Sequence, residues 1–196
     1  MKIVFGDILI FKRKEFSRQI PSVHEIYENS FKILETRAIG YSIRNAEEKD
    51  LERVLEINYT TLPENYPYDF FHELWTKYGK AFYVAVSSVN EIVGYVMCRV
   101  EHKPGFYRKF LVKSGHIVSL AVLQNHRRKG LGYCLMANAM NSLLYEYGCE
   151  ETYLEVRVSN KPAINLYEKL GYSIERVEKH YYLDGEDAYV MARPLF

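Results

Sequence analysis

Hydrophobic positions fall into short blocks whose period changes along the chain. Residues 117–123 are apolar except Ser119, rich in β-branched side chains and free of Gly and Pro, which predicts a buried strand. Residues 133–147 carry Leu135, Met136, Ala139, Met140 and Leu143 at helical spacing, and Gly148 stops them. Upstream, 41–44 reads as a short strand. Leu51, Val54, Leu55 and Asn58 then repeat at i, i+3, i+4, i+7 of a helix that Asn45 is placed to cap. It ends near Leu62, because Pro63 disfavours helical geometry in the residue before it. A second helix over 69–78 has Phe70, Phe71, Leu74 and Trp75 as its apolar face and Gly79 as its stop. Strands follow at 81–86 and 92–100, with a hairpin turn at 89–91, and the basic, Gly/Pro-containing stretch 103–114 reads as a mobile loop.

Beyond the central strand and helix, 152–158 alternates, with Leu154, Val156 and Val158 on one face and Tyr153, Glu155 and Arg157 on the other. A short helix over 161–169 closes at Gly171, and strands at 172–182 and 188–193 flank a turn signalled by Asp184-Gly185. The order from residue 41 is β-α-α-β-β-β-α-β-α-β-β, a mixed α/β (α+β layered) domain over 41–196. Residues 1–40 read as an N-terminal extension of unassigned role, with a short strand at 3–11 and a helix at 23–34.

At 196 residues the chain suits one domain, and 48% hydrophobic with 26% charged residues is ordinary for a soluble globular protein. A net charge of +1 argues against a nucleic-acid surface. No apolar run has membrane-spanning length, and Asp7 with Lys12-Arg13-Lys14 interrupts the signal-like start, so no membrane partner and a cytoplasmic location are expected. Cys98, Cys134 and Cys149, odd in number and without metal-type spacing, read as reduced thiols. Eighteen tyrosines, with many Glu, Lys, Ile and Val residues, are compatible with a thermophilic source.

Between the central strand and its helix lies Gln124-Asn125-His126-Arg127-Arg128-Lys129-Gly130-Leu131-Gly132. The first N–H groups of a helix lack intrahelical partners and carry the positive end of its dipole, and Gly130 and Gly132 admit a large anion to the main chain. This is an anion cradle, or on these residues alone a basic turn before a surface helix. It fits neither Gly-x-x-x-x-Gly-Lys-[Ser/Thr] nor Gly-x-Gly-x-x-Gly. Arg127, Gly130 and Gly132 instead resemble the Arg/Gln-x-x-Gly-x-Gly/Ala pyrophosphate motif of the GCN5-related N-acetyltransferases (GNAT), which bind acetyl-coenzyme A. Residues 160–172, in which Asn160 is placed to cap and Pro162 sits in the first helical turn, resemble that family's second motif, Asn-x-x-Ala-x-x-Leu-Tyr-x-x-x-Gly-Phe/Tyr. Leu62-Pro63-Glu64-Asn65-Tyr66, residues 153–160 and residues 181–189 are similar to the substrate loop, following strand and C-terminal hairpin of the N-terminal acetyltransferase A catalytic subunits and their archaeal relatives. Bacterial ribosomal-protein acetyltransferases are the next group.

The resemblance implies a mostly antiparallel twisted sheet, splayed between its fourth and fifth core strands, with helices on both faces. It implies acetyl-CoA as cosubstrate and transfer to the α-amino group of protein N-termini (Ser, Ala, Thr or Met types) by direct attack in a ternary complex. Leu120, Ala121, Val122, Arg127, Arg128, Lys129, Gly130, Leu131, Gly132, Tyr133 and Asn160 would bind the cofactor, and the Tyr167 hydroxyl would protonate the leaving thiolate. His116 and Glu155, if brought into one cleft by the splay, are the candidate water-mediated base; a backbone-satisfied His116 and a Glu155–Arg157 ion pair are the alternatives. Two such ligands do not make a metal site, and none is expected. Glu64 would recognise or deprotonate the substrate, Leu62, Pro63 and Tyr66 would line the pocket, and Tyr181 and Tyr182 would bond the substrate backbone or simply pack. An α-amine near pKa 7.7–8.0 is far more often neutral at pH 7 than a lysine near 10.4, which favours N-termini on physical grounds. A lysine or small-amine acetyltransferase is the same-fold alternative, and a non-catalytic, acetyl-CoA-binding or ribosome-associated subunit the alternative from another class; an auxiliary subunit is compatible with the first reading.

Overall fold

The computed structural model describes residues 20–108 and 110–196; the strand expected over 3–11 lies outside them. Its elements are α1 (Val23–Thr36), β1 (Ser42–Asn45), α2 (Leu51–Thr61), α3 (Tyr68–Tyr78), β2 (Tyr83–Val86), β3 (Ile92–Pro104), β4 (Leu111–Val122), α4 (Leu131–Tyr145), β5 (Glu151–Arg157), α5 (Lys161–Lys169), β6 (Ser173–Glu178) and β7 (Ala188–Pro194). From β1 onward this is the expected order.

The strands form one sheet in the order β1-β2-β3-β4-β5-β7-β6. Every neighbouring pair is antiparallel except β4 and β5. Those two run parallel for Ser114↔Glu151, Gly115↔Thr152 and His116↔Tyr153 only. Two residues later β4 carries an extra position, Val118, between the pairs Cys98↔Ile117 and Met97↔Ser119. A bulge bends its strand and increases the local twist, so β4 leaves β5 and the expected splay opens beyond His116. On its other edge β5 pairs with β7 over its whole length, from Glu151↔Pro194 to Arg157↔Ala188.

Alternation sends the two sides of each strand into different cores. On one face Val93, Val96, Ile117, Leu154 and Met191 pack under α1, α4 and α5, where Ile26, Leu135, Met140 and Leu170 are buried. On the other, Val84, Tyr95 and Met97 pack under α2 and α3, against Leu51, Val54, Ile57, Phe71 and Leu74. The α2–α3 layer stops short of β5, and the same face there carries Tyr153, Glu155 and Arg157.

Three expectations need correction. Asn45 does not cap α2: a 3-10 turn, Glu48–Asp50, intervenes, and the Asn45 amide donates to the carbonyls of Gly79 and Lys80, both at 3.1 Å. The turn is held by Asp50, which accepts the Glu47 N–H at 2.8 Å and the Arg44 guanidinium. Residues 103, 104 and 111–114 are strand rather than loop. β3 and β4 continue as a ribbon to Pro104↔Leu111, and the Lys103 ammonium sits 3.9 and 3.7 Å from the ring centroids of Phe106 and Tyr153. Pro104, which has no N–H to give, stands at the last pair. Tyr181 and Tyr182 are not strand residues: β6 ends at Glu178, and His180 at φ +51° turns the chain out of extended geometry.

Asp50 is 3% exposed and Arg44 grips it with two N–H groups. Burial pushes the Asp50 carboxyl up, but the Arg44 contacts and the Glu47 N–H outweigh it and leave its pKa lowered. A depressed carboxylate contributes stability above its unfolded pKa, near 3.9, that is lost as pH falls through the folded value. Arg44→Met is therefore expected to cost about 2 kcal/mol at pH 7, less than a fully buried pair because Arg44 is partly exposed. The difference from wild type should shrink toward pH 3, as thermal and urea unfolding at both pH values would show.

Candidate active site

The cradle is built as the sequence suggests. Leu123 ends the strand, a 3-10 turn covers Gln124–His126, and Arg128 and Gly130 take left-handed backbone at φ +65° and +97°. Gly130 is the N-cap of α4, and the Cys134 N–H donates back to the Gly130 carbonyl at 3.0 Å. The N–H groups of residues 131–133 therefore lie ahead of the helical ladder. Arg127 folds back, its Nε donating to the Val122 carbonyl at 2.8 Å, which leaves Arg128 and Lys129 as the cations of the corner. Leu131 is 2% exposed and Ala121 5%, so each can offer a ligand only its backbone. Beyond His116 the edge of β4 facing β5 has no ladder partner, and Leu120 and Val122 lie on that stretch. Asn160 caps α5, its Oδ1 accepting the Ala163 N–H at 3.3 Å, and its amide nitrogen remains for a ligand. Tyr167 is 8% exposed and burial pushes its hydroxyl up to about 12.

At the fork of the splay His116 Nε2 meets Glu155 Oε2 at 2.7 Å. A carboxylate only accepts, so this contact places the proton on Nε2. The His116 ring stacks on Tyr153, with centroids 4.4 Å apart and planes 2° from parallel. The Tyr153 hydroxyl donates to Glu101 Oε2 at 2.5 Å, and Glu101 Oε1 lies 2.6 Å from Arg99 Nε and 4.0 Å from His116 Nδ1. Burial raises the Glu101 carboxyl, and the Tyr153 hydroxyl and Arg99 overcome it, leaving it lowered. His116 Nδ1 is buried without a partner among the described residues. The accessible member of the pair is Glu155.

The substrate loop is tied down from two sides. Asn58, fully buried, donates to the Glu64 carbonyl at 3.2 Å and the Tyr95 hydroxyl at 3.0 Å, and its Oδ1 lies 3.4 Å from the Tyr66 N–H. Tyr66 stacks on Phe70 at 4.8 Å, and Leu62 packs on the same core, while Pro63 is exposed. From the other side Arg157 donates to Glu64 Oε1 from Nη2 at 2.5 Å and Nε at 3.2 Å, and from Nη1 to Asp184 and Glu186 at 2.7 Å each. Its guanidinium also lies 4.0 Å over the Tyr182 ring, which meets Tyr181 edge-on at 5.0 Å. One cation thus joins the 62–66 loop to the loop between β6 and β7. Burial, with the Glu64 charge at Tyr66 and Tyr182 and the Glu155 charge at Tyr181, raises these three hydroxyls (Tyr181 to about 12), so they keep their protons and serve as donors.

Glu64, Tyr66, His116, Glu155, Tyr181 and Tyr182 therefore lie near one another on one side of the sheet, and the cradle and Tyr167 lie with the helices of the opposite layer. The alternative partner of Glu155, Arg157, is taken by Glu64, Asp184 and Glu186. Sequence reasoning missed Asn58, Arg99, Glu101, Arg157 and Glu186 as parts of the site. Only Asn58 left a signal, a polar residue at an otherwise apolar helix position. Burial pushes the Cys134 and Cys149 thiols up to about 12, which opposes a cysteine nucleophile. Among the described residues no group of three His, Cys, Asp or Glu side chains is placed to hold a metal, and no helix is long and apolar enough to cross a membrane.

Comparison with known proteins agrees with this geometry. An N-alpha-acetyltransferase of Saccharolobus solfataricus is 51% identical over 157 residues, covering 79% of this chain and 93% of the relative. The N-terminal acetyltransferase A complex catalytic subunit NAA10 of Arabidopsis thaliana is 41% identical, over 78% of this chain and 77% of its own. Among solved structures, Ard1 from Thermoplasma volcanium superposes with a TM-score of 0.69 at 30% identity, over 81% of this chain and 99% of that one. Arabidopsis thaliana Naa50 in complex with the bisubstrate analogue CoA-Ac-MVNAL gives 0.68 at 25% identity, over 79% and 99%. The profile described as Acetyltransferase (GNAT) family matches residues 46–172, and with relatives this similar the chain belongs to the GNAT acetyltransferases.

Proposed function

We infer that the protein is an N-terminal α-acetyltransferase that moves the acetyl group of acetyl-coenzyme A to the α-amino group of a protein N-terminus by direct attack, with both substrates bound. The Glu155–His116 pair at the fork of the splay carries the reading. Tyr66, Tyr181 and Tyr182 gather near it on one face of the sheet, and the helix N-terminus of the cradle lies on the other. The cradle fits the donor: N–H groups ahead of a helical ladder and two nearby cations suit a diphosphate. Residues 128–133 would hold it, with Asn160 and the open edge of β4 holding the rest. Acetyl-coenzyme A, when bound, supplies an acetyl group activated as a thioester.

The chain's residues then divide the work. Glu64 meets the incoming ammonium, Leu62, Pro63 and Tyr66 border the first side chain, and Tyr181 and Tyr182 donate to the peptide backbone. Glu155 accepts the proton of the attacking amine, directly or through water, and His116 behind it fixes the carboxylate by the Nε2–H bond. The free β4 N–H groups face the developing oxyanion. Tyr167 acts as a hydrogen-bond donor. Burial keeps the Tyr167 hydroxyl protonated, so it would donate a hydrogen bond to the leaving thiolate. The buried free thiols accord with a cytoplasmic location, and the relative named as the catalytic subunit of a complex supports an auxiliary subunit, with the ribosome as a further docking partner.

Steady-state acetylation of peptides differing only in the first residue (Ser, Ala, Thr, Met, Glu), beside α-blocked lysine peptides and small amines, tests the function. Transfer confined to free N-termini is expected. Transfer to the blocked lysine peptides or small amines would replace this reading, and cofactor binding without any transfer would make the protein a binding subunit. Glu155→Gln should lower kcat/KM on the order of 100-fold at pH 7 with CoA affinity unchanged. The deficit should narrow above pH 8, where the α-amine is neutral unaided; a pH-independent deficit would remove Glu155 as the base. Tyr167→Phe should lower kcat by roughly 10- to 100-fold, the loss of one charge-assisted bond, with CoA affinity retained by calorimetry.

A further inference from the structure

Helix α1 precedes the segment matched to the family, which starts at residue 46, yet it lies on the first turn of α4. One stripe makes the contact: residues 26, 29, 30 and 33, spaced as one helical face. Asn29 Nδ2 lies 3.3 Å from the Tyr133 hydroxyl, and the Cys134 thiol lies 3.5 Å from the Ser30 carbonyl. Ile33 covers Gly130 so closely that a Cβ at that glycine would stand 2.5 Å from Ile33 Cγ2. Both ends of this segment are fixed. Ser22 and Glu25 form a reciprocal cap, and the buried Arg193 guanidinium donates to the carbonyls of Pro21, at 2.9 Å, and Leu170. After the helix, the Tyr41 hydroxyl meets His126 Nδ1 at 2.9 Å, four residues before the elbow.

Gly130 at φ +97° is the point where the chain swings from the 3-10 turn into α4. A glycine populates that conformation about as readily as others, so its own residue type does not fix it, and the Cys134 N–H bond to its carbonyl is the local tie. We propose that α1 is a positioning element for the cofactor: Ile33 holds the Gly130 elbow in the conformation that presents the α4 N–H groups, so that affinity for acetyl-coenzyme A depends on a helix outside the family-matched segment. The inference rests on the cradle reading above and adds that the cradle is set from outside itself.

The test uses the full-length chain, with CoA affinity by calorimetry and KM for acetyl-CoA measured apart from kcat at saturating peptide. If loss of Ile33 leaves the elbow competent in about a tenth of molecules, the apparent Kd rises about tenfold. Ile33→Ala should therefore raise Kd and KM for the cofactor together and leave kcat within about twofold. Ile33→Val, a milder cut, should move Kd the same way by a smaller factor, and Phe31→Ala on the exposed face should leave both constants unchanged. In a Gly130→Ala background the effect should reverse: Ile33→Ala then removes the 2.5 Å clash and recovers part of the lost affinity. A lowered melting temperature with wild-type Kd and KM, or additive losses in the double variant, would overturn the proposal. Gly130→Glu separates the two readings. If it still binds CoA the cradle lies elsewhere; if it abolishes binding while Ile33→Ala changes nothing, only the role of α1 falls.

Discussion

Everything in the site hangs on how briefly β4 and β5 are paired. Three residue pairs hold them together, and the extra residue at Val118 then bends β4 away. Because β4 and β5 are parallel neighbours, the chain must cross back over the sheet between them, and α4 is that crossover. Its N-terminus has to fall at the carboxyl end of β4, where the strands have parted. The opening in the sheet and the unsatisfied N–H groups of the helix thus coincide by topology, and a long ligand can reach from one layer to the other without breaking a ladder bond.

The polar side of the fork shows what this opening costs. Buried side-chain polar atoms in a settled fold are nearly all paired. The two without a hydrogen-bonding partner among the described residues are Arg99 Nε and His116 Nδ1, and both belong to the network around Glu101. Arg99 Nε is close enough to Glu101 for a strong ion pair at 2.6 Å yet misaligned for a hydrogen bond. Charge is balanced there, but directionality is not, as expected where side chains are held for a reaction rather than for packing.

The elements with local causes were legible in the sequence. The helix over 161–169 has its cap at Asn160, a proline in the first turn and a glycine after its end, and it forms with those bounds. The two core layers followed from alternation and helical spacing. The β3–β4 ribbon was not legible. Its outer half alternates charged residues with His102 and Pro104, and only pairing with the other strand and Lys103 between two rings show why it is ordered. The parts of Arg157 and Glu101 were also out of reach. Arg157 gains its role from Glu64, 93 positions away, and no local pattern announces a partner at that distance. Tyr181 and Tyr182 look like a strand continuing until His180 turns over, a local conformation its residue type does not require.

The Arg157–Glu64 pair has a consequence for the amine that docks there. Glu64 already holds a cation, so an arriving group must displace a guanidinium from it. An ammonium competes for that carboxylate better than a neutral amine, and because Arg157 remains beside it the arrival adds one positive charge locally. Arg157 stays in place, kept by Asp184 and Glu186. In the proposed reaction that added charge lowers the pKa of the docked amine and eases loss of its proton to the base.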